Sequence, residues 1–238
     1  MRILIVISLL LLVSCSKPNS ELSGKEIIEK SVLKHDPKNQ WSSAEFTFRI
    51  QEPRLQNPER FSLVYLNNET DAFKLMRNRE DKIASYGINA DGITTVLLDN
   101  KSITDSLLIK KYLLQPERVH VYKNSYQTIL GLPMTLNNEL VSDIGTVSKA
   151  IFDGKPAFKF QVALKRKVFS DQWILYFSEE DFSLLGIDIL HPNEPNRGER
   201  LYFEKSIQVQ DMQLHRMKHW YDMNGTYLGS DVTVYNLD

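Results

Sequence analysis

The chain has 238 residues, a formal net charge of −1 and a hydrophobic content of 42%, which is ordinary for a globular domain. This near balance of charge argues against the broad basic surface that nucleic-acid binding requires, so we expect no nucleic-acid partner. The only cysteine excludes an internal disulfide and a thiolate metal cluster.

The N-terminal segment has the layout of a bacterial export signal. Arg2 supplies the positive charge, and residues 3–13 form an apolar run that is too short to span a bilayer, which takes roughly 20 residues. The segment Leu12-Val13-Ser14-Cys15 resembles a bacterial lipobox, in which the cysteine thiol receives a diacylglycerol and becomes the new N-terminus. The sequence therefore predicts a signal peptide over residues 1–14, lipid attachment at Cys15 and a covalent anchor in the bacterial membrane.

A polar tether follows the predicted anchor. Residues 15–23 include Pro18 and lack apolar periodicity, which is typical of a flexible linker. In enteric lipoproteins an Asp directly after the cysteine favours the inner membrane; Ser16 stands there instead, so this resemblance favours the outer membrane. We expect a lipid-anchored envelope protein that faces the periplasm, with residues 24–238 folded as a single β-rich domain.

The first regular element is an amphipathic helix. Ser23 and Glu26 have the spacing of a capping box. Apolar pairs separated by charged residues follow, and Pro37 ends the pattern. These signals predict a helix over residues 24–35.

From residue 44 onward the apolar residues alternate with polar ones, which is the period of a half-buried strand. The alternation occupies two blocks, residues 44–98 and 147–235, with turn signals such as Asp91-Gly92 and Asn224-Gly225 between the runs. We count about eleven strands at short spacing, which favours an antiparallel sheet, as in a sandwich or barrel, over a parallel one.

A helical segment separates the two blocks. Residues 107–113 predict one short helix, and an apolar stripe from Val119 to Leu130 predicts a second. Gly131 is well placed as the C-terminal cap of the second helix, and Pro133 as its stop.

The order of elements resembles the LolA/LolB-like superfamily of outer-membrane lipoprotein-sorting proteins, and also bacterial lipoproteins of similar length that share this layout. The segments that carry the resemblance are the capped helix before Trp41, the strand 44–48, the aromatic strand 173–177 and the segment 219–231. The resemblance implies an α+β, mainly β fold, a curved antiparallel half-barrel with helices covering its open side. It also implies a non-enzymatic protein that binds a lipid or a lipoprotein acyl chain.

Aromatic residues on alternating positions are the candidate lining of an apolar cleft. On a curved sheet the side chains of Phe46, Phe48, Phe158 and Phe160 would face the interior. The helices around residues 104–130, which include Tyr126 and Leu130, would form a lid over it. The alternative is that the same side chains fill a dry core and that the protein acts as an envelope scaffold through its surface. Both need the same alternation, so the sequence leaves them open; an internal apolar cavity would separate them.

Enzymatic chemistry has little support in the sequence. His215 and His219 lie four residues apart, with Asp211 and Asp222 nearby, so a metal-dependent hydrolase is a third alternative. There is no His-Glu-x-x-His helix and no fixed third ligand, which favours structural histidines on a strand. The sequence also lacks a Gly-x-Ser-x-Gly elbow and a phosphate-binding glycine loop. We therefore predict no catalytic residue, no bound metal and no cofactor.

Overall fold

The computed structural model describes residues 22–194 and 197–235. The predicted signal peptide, the lipid attachment at Cys15 and most of the tether lie outside these residues. The described residues contain three α-helices, α1 (Gly24–His35), α2 (Ser106–Tyr112) and α3 (Arg118–Leu130). The first block of strands comprises β1 (Glu45–Gln51), β2 (Phe61–Asn67), β3 (Ala72–Arg79), β4 (Lys82–Ile88) and β5 (Thr94–Leu98). The second comprises β6 (Val141–Ile144), β7 (Ser148–Phe152), β8 (Lys155–Val168), β9 (Ser170–Ser178), β10 (Leu184–Leu190), β11 (Gly198–Val209), β12 (Met212–Asp222) and β13 (Tyr227–Tyr235).

All of these strands join one 13-stranded antiparallel sheet, in the order β5-β4-β3-β2-β1-β13-β12-β11-β10-β9-β8-β6, with β7 also paired to β8. Most neighbours in the sheet are neighbours in sequence. The exceptions are the pairing of β8 with β6 and that of β1 with β13, in which Phe48 lies opposite Tyr235. The sheet stays open, because β5 and β6 form its opposite edges. The predicted fold class, a curved antiparallel half-barrel with a few helices, is confirmed.

The apolar face of this sheet forms the core. In β1 the side chains at Phe46, Phe48 and Ile50 are buried and those between them are exposed, as strand geometry requires. Helices α1 and α3 cover this face: Ile27 and Ile28 of α1 lie in one buried cluster with residues of β8 to β11, whereas Leu130 of α3 belongs to a second cluster with β1 to β4. No helix among the described residues is both long and apolar enough to cross a bilayer.

Helix α1 begins and ends where the sequence predicts. Its N-terminus has both hydrogen bonds of a capping box: the Ser23 amide donates to the Glu26 carboxylate at 2.8 Å, and the Glu26 amide donates to Ser23 Oγ at 3.3 Å. At the other end Asp36 accepts hydrogen bonds from the amides of Gln40 and Trp41, both at 2.8 Å. These bonds fix the chain as it turns from α1 towards β1.

Two details of the elements differ from the sequence-based expectations. The sheet has 13 strands rather than about eleven; a strand that the alternation does not reveal is β6, a four-residue edge strand with no buried position. Gly131 does cap α3, but its φ of −89° is not left-handed. Glycine is needed there because a Cβ atom would collide with the Trp41 indole ring.

Candidate functional site

An open groove of about 660 Å³ lies between α1 and the segment that leads from α3 to β6. Its apolar lining consists of Ile28, Val32 and Leu33 from α1, Trp41, and then Met134, Leu136, Val141 and Ile144 from the facing segment. Polar side chains, among them Lys25, Glu29 and Asn137, stand around it. We call this feature the α1 groove. Its volume lies in the range of small-molecule sites. Its lining is mixed, since nine polar residues stand beside the eight apolar ones.

The α1 groove combines buried and exposed apolar side chains. Leu33 is 66% exposed, whereas Ile28 and Trp41 are almost fully buried. A ligand in the groove would therefore remove Leu33 from water and lie on surfaces that are already fixed by the core.

Trp41 connects the groove to two of the predicted cleft residues. Its ring stacks on Phe46 with centroids 5.5 Å apart, and Phe46 in turn stacks on Phe48 at 5.3 Å. Phe46 is 2% and Phe48 0% exposed. Both are packed core residues in this structure, separated from the groove by the indole ring.

The other predicted aromatic pair lies under α1. Phe160 is 2% exposed and stacks on Phe177 with centroids 5.6 Å apart. The first turn of α1 lies directly over it, since a Cβ atom at Gly24 would come within 3.1 Å of the Phe160 ring. Phe158 is half-buried and faces Phe182, with centroids 6.0 Å apart. The structure therefore divides the predicted lining between two core clusters, Phe46, Phe48 and Leu130 in one and Phe158 and Phe160 in the other.

Tyr126 does not line a cleft in this structure; polar contacts hold its side chain in position. Its hydroxyl donates to Glu52 at 2.6 Å, lies 3.0 Å from Ser62 Oγ, and accepts a hydrogen bond from Arg77. Burial, reinforced by the charge of Glu52, raises the pKa of this phenol. Tyr126 consequently ties α3 to the sheet.

The carboxylate of Glu52 is the centre of this arrangement, which we call the Glu52 cluster. It is 2% exposed and lies 3.1 Å from both Arg77 Nη2 and Arg60 Nε. Burial alone would raise the pKa of Glu52, but the charges of Arg77 and Arg60, with hydrogen bonds from Tyr126 and Ser62, lower it. The carboxylate is therefore charged and fully paired.

Sequence reasoning missed the Glu52 cluster, although a signal for it exists. Glu52 continues the inward-facing series of Phe46, Phe48 and Ile50, and Arg77 continues the series of Phe73 and Leu75 in β3. Polar residues that extend two inward-facing rows are an indication of a buried ion pair.

The histidine pair considered as metal ligands is separated in the structure. His215 is buried, stacks on Phe203 at 4.3 Å and faces His35 of α1, with centroids 5.0 Å apart. His219 instead contacts Ser230 Oγ at 2.6 Å and Glu204 at 3.2 Å. In the part of the chain that the structure describes, no group of three or more His, Cys, Asp or Glu residues could hold a metal ion.

His35 and His215 form a buried pair of neutral imidazoles. The Nδ1 atom of His35 lies 2.7 Å from the Gln213 carbonyl oxygen, while the Nε2 atoms of both rings have no hydrogen-bond partner among the described residues. Burial lowers the pKa of both rings, and the neighbouring ring and Lys218 lower the pKa of His215 further. The pair fixes the C-terminal end of α1 against β12 without a charge.

The architecture, an open curved sheet covered by helices, is similar to the fold of two solved structures. The structure matches a domain from Vibrio parahaemolyticus described as an outer membrane lipoprotein-sorting protein, with a TM-score of 0.52, 12% identity, and 87% of this chain and 88% of that chain covered. It matches a LolA superfamily protein from Nitrosomonas europaea with a TM-score of 0.52, 8% identity, and 90% and 92% coverage. At these identities the similarity shows the fold alone, and it confirms the resemblance at that level.

Residues 1–191 match the profile of a family described as a family of unknown function, DUF6503, and the chain belongs to this family. No curated protein matches the chain.

Proposed function

We propose that the protein is a non-enzymatic lipoprotein of the outer membrane that holds an acyl chain of a lipid or a lipoprotein in the α1 groove. In this proposal residues 1–14 are removed, Cys15 carries the lipid anchor, residues 15–23 form the tether, and residues 24–238 form one domain in the periplasm. The observation that carries the proposal is the apolar α1 groove on a LolA-type fold. The similarity to a lipoprotein-sorting domain supports the same ligand class.

The physical basis of binding is removal of apolar surface from water, which contributes about 25 cal/mol per Å². Exposed Leu33 supplies most of this surface, and the half-buried Val32, Val141 and Ile144 supply the rest. The polar residues around the groove, such as Lys25 and Asn137, orient the ligand.

Displacement of α1 would extend the site inward. Phe160 lies beneath the first turn of α1, and Phe46 lies behind Trp41. We propose that α1 is the helix that moves, and that Phe46, Phe48, Phe158 and Phe160 then line the deeper part of the site. The sequence-based assignment of the lid to the helices around residues 104–130, with Tyr126 and Leu130, remains a prediction that binding measurements test.

The test compares two exposed aliphatic residues that differ in position. Leu33 lines the α1 groove and is 66% exposed, while Ile151 lies on β7, outside both the groove and the helices around residues 104–130, and is 70% exposed. Leu33→Lys should weaken binding of a fluorescent fatty acid by about tenfold, because the charged group would have to be desolvated beside the chain. Ile151→Lys is the matched control and should leave affinity within about twofold.

Native mass spectrometry of the mature protein, purified from a bacterial envelope, identifies the ligand. Co-purifying mass that organic solvent removes as lipid supports the proposal. A clean apo mass, even after incubation with envelope lipids, would contradict it and favour the scaffold alternative, which the tight packing of Phe46 and Phe48 suits.

A further inference from the structure

A second, positively charged pocket of about 230 Å³ lies beside the loop between β1 and β2 and shares no lining residue with the α1 groove. Its basic lining comprises Arg54, Arg60, Arg77, Arg79 and Lys111. We call it the arginine pocket. Glu80 is the acidic residue that lines it.

The charges around the arginine pocket do not balance. Arg54 pairs with Asp231 at 2.6 Å and Lys111 pairs with Glu80 at 2.9 Å. Arg60 and Arg77, however, share the single carboxylate of Glu52. One positive charge of this trio is therefore in excess.

Arg79 adds a second unmatched charge. Its Nη2 atom donates to the Tyr122 hydroxyl at 2.8 Å, and its other phenolic neighbour is Tyr86, so both groups around it are neutral. Within residues 22–194 and 197–235 no carboxylate pairs with Arg79, and its buried Nε atom has no hydrogen-bond partner. Arg79 is half-buried, so part of its guanidinium is withdrawn from water without a carboxylate to offset the charge, and an anion in the pocket would supply that charge.

The chemistry of the pocket selects one class of anion. Guanidinium groups present planar pairs of N–H donors whose spacing matches the oxygens of a phosphate group. Several guanidiniums around one small volume can surround a tetrahedral anion from more than one side. A carboxylate would occupy fewer of these donors.

We propose that the arginine pocket binds a phosphate group, supplied either by a lipid headgroup or by a free phosphate compound. The proposal does not rest on acyl-chain binding in the α1 groove. Leu55 separates the two sources: it lies between Arg54 and Gln56, which both line the pocket, and it is 73% exposed. We expect the chain of a bound lipid to leave the pocket past exposed Leu55, whereas a free phosphate has no chain to contact it.

The experiment measures binding of two probes to the full chain in detergent by calorimetry. One probe is inorganic phosphate and the other is a short-chain phosphatidylglycerol below its critical micelle concentration. We expect at least one probe to bind, and Arg79→Gln to weaken that binding by tenfold or more. The matched control is Arg216→Gln, because Arg216 is an exposed arginine outside the pocket; it should leave affinity within twofold.

Two further variants make the result decisive. Lys111→Gln alters an exposed pocket residue whose loss leaves the core intact, and it should weaken binding by about threefold. Leu55→Ser should weaken only phosphatidylglycerol binding if the headgroup is the source, and neither probe if the source is free phosphate. Absence of binding of both probes at millimolar concentration would overturn the proposal, as would an equal loss in Arg79→Gln and Arg216→Gln.

Discussion

Helices α1 and α3 cover the same apolar face of the sheet but are attached to it in different ways. The α3 helix is tied by directional polar contacts: Tyr126 enters the Glu52 cluster, and Gln127 donates to Asn68 at 3.0 Å. The α1 helix rests on buried Ile27 and Ile28 and borders an open groove, and a side-chain contact holds its C-terminal end, where His35 Nδ1 lies 2.7 Å from the Gln213 carbonyl oxygen. Hydrogen-bond networks fix one geometry, whereas apolar contact is non-directional. We therefore expect α3 to be held firmly, and the part of α1 that borders the groove, away from His35, to shift more easily.

Neutralising the buried Glu52 carboxylate should weaken the attachment of α3 to the sheet more than any other change considered below. Glu52→Gln leaves Arg77 buried with its charge unpaired, so the free energy of unfolding should fall by about 3–5 kcal/mol. Urea denaturation measures this change. Glu59→Gln, at an exposed position in the same loop, serves as the control and should change stability by less than about 0.5 kcal/mol. A loss below 1 kcal/mol in Glu52→Gln would mean that the cluster does not hold α3.

The attachment of α1 should weaken in mild acid. His35 and His215 have lowered pKa values in the folded state, so the unfolded chain binds more protons once the pH falls below about 6.5. Stability is therefore fully present above this pH and is lost as the pH falls towards the depressed values. We expect a loss of about 1–2 kcal/mol between pH 7 and pH 5.5.

Two variants assign this pH dependence. His215→Phe removes one titrating ring from the buried pair and keeps the stacking on Phe203, so it should roughly halve the loss in that window. The charges of Lys34, Lys218 and Asp181 also shift the pKa values of the two imidazoles. The pKa of Asp181 itself is far below its usual range, so Asp181 titrates at lower pH than this window. His120→Gln, at an exposed position of α3, should retain the wild-type profile. An unchanged profile in His215→Phe would disprove the role of the pair.

A smaller change in stability, caused by a substitution at Tyr126, tests whether α1 or α3 is the lid. Tyr126→Phe removes the hydroxyl from the Glu52 cluster and should lower stability by about 1–2 kcal/mol. If α1 is the helix that moves, fatty-acid affinity stays within about twofold of wild type. A clear change in affinity or association rate would instead assign the lid to α3, in agreement with the sequence-based prediction.

The smallest effect concerns the exposed end of α1. Lys34 pairs with Asp181 and donates to Ser183 at 2.6 Å. Asp181→Asn should cost only about 0.2–1 kcal/mol, as is usual for an exposed pair, but should raise the association rate for fatty acid about twofold by freeing α1. Glu180→Gln next to it is the control, and stopped-flow fluorescence is the measurement. A slower association in Asp181→Asn would argue against movement of α1.

Local signals account for what the sequence predicted. The bounds of α1 follow from Ser23, Glu26 and Pro37, which act within a few residues of the helix ends. Strand β6 gave no signal because it is a short edge strand without a buried position. The His35–His215 contact and the α1 groove depend on how distant segments meet, and residue alternation carries no information about that. The Glu52 cluster is an intermediate case. The alternation predicts that the side chains of Glu52 and Arg77 face inward, but it does not predict that they contact each other.

The adjacency of β1 and β13 has a consequence for how the sheet is completed. Each half of the sheet is a meander of hairpins that close locally, whereas the seam between Phe48 and Tyr235 joins the two ends of the chain. Such a non-local pairing forms late because its loop-closure entropy is the largest. Until the last strand arrives, β1 and β12 present unpaired edges to other chains. We therefore expect the protein to be most prone to aggregation before β13 has docked against β1.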